Sequence, residues 1–99
     1  MIFKWFDASE AKAFGTLQAQ YFMERIPLEA QLNEKKFAAK TRDALEKMNL
    51  QVRKFREDHK LSVYKRAQVG NAFKWSLRDA GYDEAYVEKL TLWLMTQFE

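Results

Sequence analysis

Apolar residues recur along most of the chain at spacings of three and four, which is the pattern of amphipathic helices. A first helix should begin near Asp7, because Asp7 and Glu10 match a capping box. Pro27 disfavours helix in the residue before it, so this helix should end at Arg25 or Ile26. Its predicted apolar stripe comprises Phe14, Leu17 and Tyr21.

Small residues lie inside this first helix, at Ala11, Gly15 and Ala19. A glycine in a helix interior costs about 1 kcal/mol relative to alanine. A close approach of a second helix would explain the small residues, and a tolerated imperfection is the alternative.

A second, long helix is predicted over about 28–60, where no helix-breaking residue occurs. Its apolar positions follow a heptad-like pattern: Ala38, Thr41, Leu45, Met48, Val52 and Phe55. A helix of roughly 30 residues is about 45 Å long, whereas a compact chain of this size is roughly 33 Å across. We therefore expect the helix to overhang and to be covered by a second copy. A bend near Asn33 or Asn49 is the alternative.

Two further helices complete the chain. Ser62 can cap a third helix that runs to Ala80, and Gly81 suits the left-handed residue that closes it. Asp83 can cap a fourth helix, which should extend from Glu84 to Phe98. After Lys89 this last helix is apolar around almost its whole circumference, and such a helix is buried on all sides. One small chain can hardly surround it, which indicates an interface between molecules.

The chain as a whole is predicted to be an all-α, mostly antiparallel bundle of four helices with one long central helix. Its 99 residues correspond to one domain, spanning 1–99. The apolar segment Met1–Phe6 should pack on this bundle. Because cysteine is absent, disulfides, thiolate metal sites and a catalytic thiol are excluded.

Neither a signal peptide nor a membrane span is predicted. The apolar start is interrupted at once by Asp7, and no stretch approaches the roughly 18 apolar residues of a span. We therefore expect a soluble, cytoplasmic protein without membrane contact.

Charge is distributed unevenly along the chain. Residues 35–78 carry thirteen Lys or Arg against four Asp or Glu, whereas 1–34 and 79–99 are net acidic. Four lysines of the second helix fall within a narrow arc: Lys36, Lys40, Lys47 and Lys54. Such a row is typical of phosphate contact. A solvated outer face, or docking against acidic ends of this or another chain, are the alternatives.

Two aromatic residues of the third helix, Tyr64 and Trp75, lie eleven residues apart and therefore share a face. Basic and amide residues surround them. Three interpretations stay open: packing within the chain, anchoring of a protein interface, and stacking on bases.

Motifs of catalysis are missing from the chain. His59 is the single histidine, and Arg56 stands three residues before it, so neither a zinc pair nor a carboxylate-bridged metal pair is present. No glycine-rich phosphate loop or nucleophile elbow occurs. We expect no catalytic, cofactor-binding or metal-binding residue, and hence no enzyme.

The function predicted from the sequence is a small protein–protein interaction or adaptor module that forms a homodimer. The dimer should use the fourth helix and part of the second. The candidate interface residues are Tyr64, Trp75, Leu90, Leu92, Trp93, Met95 and Phe98. The alternative is a nucleic-acid-binding protein that uses the lysine row of the second helix.

Overall fold

The computed structural model describes residues 9–26, 34–58 and 62–98, except for the side chains of 34–40. Four helices make up most of these ranges. The helices are α1 (Ser9–Arg25), α2 (Glu34–Asp58), α3 (Val63–Asp79) and α4 (Glu84–Thr96). No strand occurs within these ranges. The predicted all-α, four-helix fold is therefore confirmed. The predictions for Met1–Phe6, Asp7, Pro27 and His59 lie outside the described residues.

Helices α3 and α4 begin where their capping residues predict. The Ser62 hydroxyl accepts from the Lys65 backbone N–H at 3.2 Å, and the Asp83 carboxylate accepts from that of Tyr86 at 3.0 Å. Gly81 has a φ of 96°, a left-handed conformation that glycine adopts without strain. Gly81 and the Asp83 cap thus define the α3–α4 turn through local interactions, and the Ser62 cap defines the start of α3.

Pairs of contacting residues give the directions of the helices. Phe14 stacks on Phe55, and Gln18 reaches Gln51, so α1 and α2 are antiparallel. The short turn after α3 makes α3 and α4 antiparallel as well. Consecutive helices thus alternate in direction, as the sequence predicts for a bundle.

The two helices α1 and α3 run in the same direction and approach each other closely. Gly15 lies against Val69, and farther along both helices the Ile26 carbonyl accepts from the Tyr82 hydroxyl. The small residues of α1 are therefore explained by a close approach of α3. The buried residues of α1 are Ala11, Gly15, Gln18, Ala19 and Phe22.

This packing corrects the predicted stripe of α1. Leu17 is 59% exposed, whereas Gln18 beside it is buried. Because the small side chains of α1 face α3, the backbones of the two helices lie close together. In this orientation of α1, Leu17 points away from the core.

The core draws side chains from all four helices. Phe14 of α1 stacks on Phe55 of α2 with ring centroids 4.1 Å apart, and it meets Phe98 edge-on at 6.3 Å. The edge-on pair is favoured by the aromatic quadrupole beyond its burial. The largest fully buried apolar side chains are Phe22, Ile26, Met48, Val52, Val69, Phe73, Leu77, Val87, Leu94 and Phe98.

Two arguments for a second copy are corrected by this arrangement. First, α4 is largely covered by its own chain, since Val87, Leu90, Leu94 and Phe98 are buried. Second, the described part of the predicted 28–60 helix is α2, an unbroken helix of 25 residues that is about 37 Å long, and residues 28–33 and 59–60 lie outside the described residues. Helix α2 fits along a molecule of 49 × 24 × 19 Å. The diameter estimated for a spherical chain is shorter than this long axis. Neither the described length of α2 nor the apolar circumference of α4 therefore requires a partner.

Candidate functional site

A groove of about 860 Å³ runs between α2 and α4 on the surface of the bundle. It is large enough for a drug-sized molecule or for side chains of another protein. The residues that line it are Thr41, Arg42, Leu45, Glu46, Asn49, Leu50, Trp93 and Gln97.

Hydrogen bonds hold the two walls of the groove together at one end. The Asn49 side-chain amide donates to the Gln97 side-chain carbonyl. The Arg56 guanidinium donates to the Gln97 backbone carbonyl at 3.0 Å. A cation at a helix C-terminus is also favoured by the helix dipole. The end of α4 is thereby tied to α2, so the groove is preformed.

The apolar part of the groove lining is formed by three side chains, which we call the α2–α4 patch: Leu45, Leu50 and Trp93. Leu45 and Trp93 are half-buried, whereas Leu50 is 62% exposed. Leu92 precedes Trp93 on α4 and is 68% exposed, but it is not one of the residues that line the groove. Exposed apolar surface in a groove is typical of interaction sites.

Charged side chains border the patch on the α2 side. Arg42 and Glu46 are both exposed and lie one helical turn apart. The rim thus carries one positive and one negative group in a fixed order along α2.

At the Thr41 end of the groove, Tyr86 of α4 has a perturbed hydroxyl. Burial raises the pKa of Tyr86 to about 12, a hydrogen bond with the Thr41 side chain lowers it, and the charge of Tyr82 raises it. The phenol is therefore neutral at ordinary pH. It packs against Phe22 with ring centroids 6.1 Å apart, which is a structural role.

A second, smaller cavity of about 260 Å³ lies between α1 and α2. Its lining includes Gln18, whose amide donates to the Gln51 carbonyl at 2.6 Å. The Gln18 side-chain oxygen is buried and accepts no hydrogen bond from the described residues. Lys54 and Asp58 lie at the exposed margin of this cavity.

The candidate interface residues do not form one surface. Leu90 and Phe98 are 5% and 1% exposed and belong to the core, so a partner cannot reach them in the folded chain. Met95 is half-buried against Gly70. Trp93 lines the groove and Leu92 is exposed beside it.

The other two candidate interface residues lie on α3. Tyr64 is 50% and Trp75 is 52% exposed, so neither is a core residue of the described chain.

Leu50 is the residue of the patch that sequence reasoning missed. It stands two positions after buried Met48, off the heptad-like stripe of α2. An apolar residue outside its helix's stripe is the signal that could have indicated an outward-facing site.

The lysine row of α2 is only partly described. Lys47 forms an ion pair with Asp43 at 3.4 Å, and Lys54 lies near Asp58 at the smaller cavity. The side chains of Lys36 and Lys40 lie outside the described residues. Both described lysines therefore have a carboxylate nearby, which weakens the local positive field.

Within the described ranges, no group of three or more His, Asp or Glu side chains could hold a metal ion. The helices described in 9–26, 34–58 and 62–98 also include none with the length and hydropathy needed to cross a bilayer.

The fold and the groove define an all-α bundle with a preformed apolar cleft. Comparison of the chain with family models, curated proteins and solved structures finds no match to any of them.

Proposed function

We propose that this protein is a small protein–protein interaction module that forms a homodimer through the α2–α4 patch. The observation that carries the proposal is a groove between α2 and α4 in which Leu50 is 62% exposed beside half-buried Leu45 and Trp93. Apolar side chains this exposed gain free energy when a partner removes them from water, at about 25 cal/mol per Å².

A second copy fits the charges at the rim. In a two-fold symmetric interface both copies use the same surface patch. That patch must therefore be complementary to itself, with each residue facing a residue of the partner copy that suits it. Arg42 and Glu46 satisfy this condition, because an antiparallel approach of two α2 helices can set each Arg42 against the partner copy's carboxylate. Pairs at such a rim contribute more to orientation than to affinity.

An interface of ordinary size would cover a modest part of this chain's surface. It buries about 800 Å² on each partner, roughly a ninth of this chain's 6874 Å². Trp93, which lines the groove, is the expected anchor, since tryptophan is enriched among energetically dominant interface residues.

Sedimentation equilibrium at micromolar concentration tests the proposal. We expect the wild-type chain to sediment as a dimer and Leu50→Glu to sediment at the 11.8 kDa monomer mass. Leu17→Glu is the matched control, because Leu17 is 59% exposed but lies on α1. It should stay dimeric. A wild-type monomer up to about 100 μM, a concentration well above a μM dissociation constant, would overturn the proposal.

A charge exchange tests the two-fold arrangement. Arg42→Glu and Glu46→Arg should each weaken the dimer several-fold, because each places like charges across the interface. The double variant should restore wild-type association. Failure of the double variant to recover would mean that the rim does not face a second copy in this way.

The proposal assigns no catalytic activity to the protein and a cytoplasmic location. A secreted domain of this size is usually held together by disulfides, and the chain has no cysteine. Fractionation of cells that express the tagged full chain would test this location.

A further inference from the structure

A straight stripe of polar and aromatic side chains follows the outer face of α3. Tyr64, Gln68, Asn71 and Trp75 recur at spacings of four, three and four, and buried Val69, Phe73 and Leu77 occupy the opposite face. Eleven residues of helix separate the two aromatic rings by about 16 Å. Both rings are half exposed, so large planar surfaces stand in solvent at the two ends of the stripe.

The helix that carries this stripe is positively charged. Between Val63 and Arg78 it contains no carboxylate, and its four cations are Lys65, Arg66, Lys74 and Arg78. Asp79 ends the helix, and Glu84 beyond it forms an ion pair with Arg78 at 3.6 Å. The carboxylates that follow α3 in the chain therefore lie at its Arg78 end.

Cations also surround the exposed indole ring. The Arg78 guanidinium carbon lies 4.9 Å from the Trp75 ring centroid, and the Lys74 ammonium lies 5.9 Å from it. Cation–π attraction of this kind holds a ring at the surface instead of in the core. Positive charge and an exposed aromatic surface are thus combined within one helical turn.

We propose that the outer face of α3 binds single-stranded nucleic acid. Bases stack on Tyr64 and Trp75, and the amides of Gln68 and Asn71 between them offer donors and acceptors to base edges. Lys65 and Lys74 contact backbone phosphates. Aromatic platforms with cationic side chains are the usual means of binding unpaired strands.

Bases suit this face better than an acidic peptide does. A peptide carboxylate needs only the cations, and it leaves two exposed rings and two amides without a role. Duplex DNA hides the faces of its bases, so it offers phosphates but no stacking surface. Acidic peptide and duplex are therefore the competing ligands in the test.

The α3 face is separate from the α2–α4 patch, because α3 packs mainly on α1 and α4 and not on α2. The two proposals can therefore fail independently. Leu50→Glu on α2, which should abolish dimerisation, leaves the α3 stripe intact.

Fluorescence anisotropy of a labelled single-stranded 12-mer of mixed sequence tests the inference on the full chain. At roughly 50 mM salt we expect micromolar binding that weakens steeply as salt rises. Trp75→Ala and Tyr64→Ala should each weaken binding about tenfold, whereas Trp75→Phe should retain most of it. Val63→Ala is the control, since Val63 is 80% exposed but lies off the stripe.

Several outcomes would overturn the inference. The first is that about 100 μM protein does not bind the 12-mer at this low salt. The second is that Trp75→Ala leaves binding unchanged. The third is that the matched duplex or a poly-glutamate peptide binds as tightly as the 12-mer or more tightly. Circular dichroism of each variant confirms that it is folded, and these half-exposed positions tolerate substitution.

Discussion

The α-carbon of Gly15 in α1 faces the backbone carbonyl of Val69 in α3, with no room for a side chain between them. A Cβ built on Gly15 would lie 3.1 Å from the Val69 carbonyl carbon, closer still to its oxygen, and 3.0 Å from the Ala72 Cβ. These are largely backbone atoms, which cannot move without shifting a whole helix. The closest helix pair of the bundle thus depends on the absence of one methyl group.

We predict that Gly15→Ala destabilises the protein. Alanine is the better helix former by about 1 kcal/mol, but overpacking against backbone costs typically 1–3 kcal/mol. A net loss of up to about 2 kcal/mol is expected from these two terms, measured by urea unfolding.

Gly70→Ala is the matched control. A Cβ there meets the Met95 sulfur at 2.7 Å, and that sulfur belongs to a flexible side chain that can swing aside. Gly70→Ala should be neutral or slightly stabilising. If Gly15→Ala were as stable as Gly70→Ala, the close approach of α1 and α3 would be wrong.

Local signals in the sequence predict this fold well. Ser62, Gly81 and Asp83 each act through backbone groups a few residues away, so the bounds of α3 and α4 follow from short stretches of chain.

Long-range packing is harder to predict. The sequence predicts Leu17 in the core, but it is exposed and Gln18 is buried because α3 approaches the small residues of α1. The sequence of α1 alone does not indicate which helix packs there. Leu90 and Phe98 resemble interface residues in the sequence because α4 is apolar on most sides. Their burial depends on how α1 and α2 close over α4, as the contact of Phe14 with Phe98 illustrates.

Tyr82 links the α3–α4 turn to the end of α1, and we predict that Tyr82→Phe destabilises the protein. Its buried hydroxyl donates to the Ile26 carbonyl at 2.5 Å. Without this hydroxyl the buried Ile26 carbonyl loses its hydrogen-bond donor, which costs about 1–3 kcal/mol. The ring contact with Phe22 at 6.1 Å is retained in the variant.

Tyr64→Phe is the control. Because Tyr64 is half exposed, this substitution should change the unfolding free energy by less than about 0.5 kcal/mol. Equal effects of the two substitutions would contradict the assigned hydrogen bond.

Gln18 is a buried polar side chain in an apolar setting, and we predict that Gln18→Met stabilises the protein. The Gln18 oxygen is buried and accepts no hydrogen bond from the described residues. A buried unsatisfied acceptor costs about 1–3 kcal/mol, and methionine has a similar volume and adapts to its surroundings. Half-buried Gln51 can turn towards water once its partner is gone.

For Gln18→Met the midpoint of urea unfolding should rise, and Gln20→Met, at an exposed position, should leave it unchanged. A lower midpoint for Gln18→Met would mean that the Gln18–Gln51 bond outweighs the unsatisfied oxygen.

Tyr86 should make stability depend on pH in the alkaline range. Burial raises the pKa of Tyr86 to about 12 in the folded chain, against about 10 in an unfolded one. The folded state therefore holds this proton more tightly. The resulting stabilisation is fully present below about pH 10 and is lost as the pH rises from about 10 to about 12.

The test compares the free energy of unfolding of the wild-type chain and Tyr86→Phe at several pH values between about 8 and 12, the range of tyrosine titration. Other tyrosines and the lysines titrate in the same range in both proteins, so their effects cancel in the difference. We expect the wild type to lose stability more steeply than Tyr86→Phe above about pH 10, because phenylalanine has no proton to release. Parallel profiles would mean that the Tyr86 hydroxyl is as well solvated in the folded chain as in the unfolded one. The packing of α4 over Thr41 and Phe22 would then need revision.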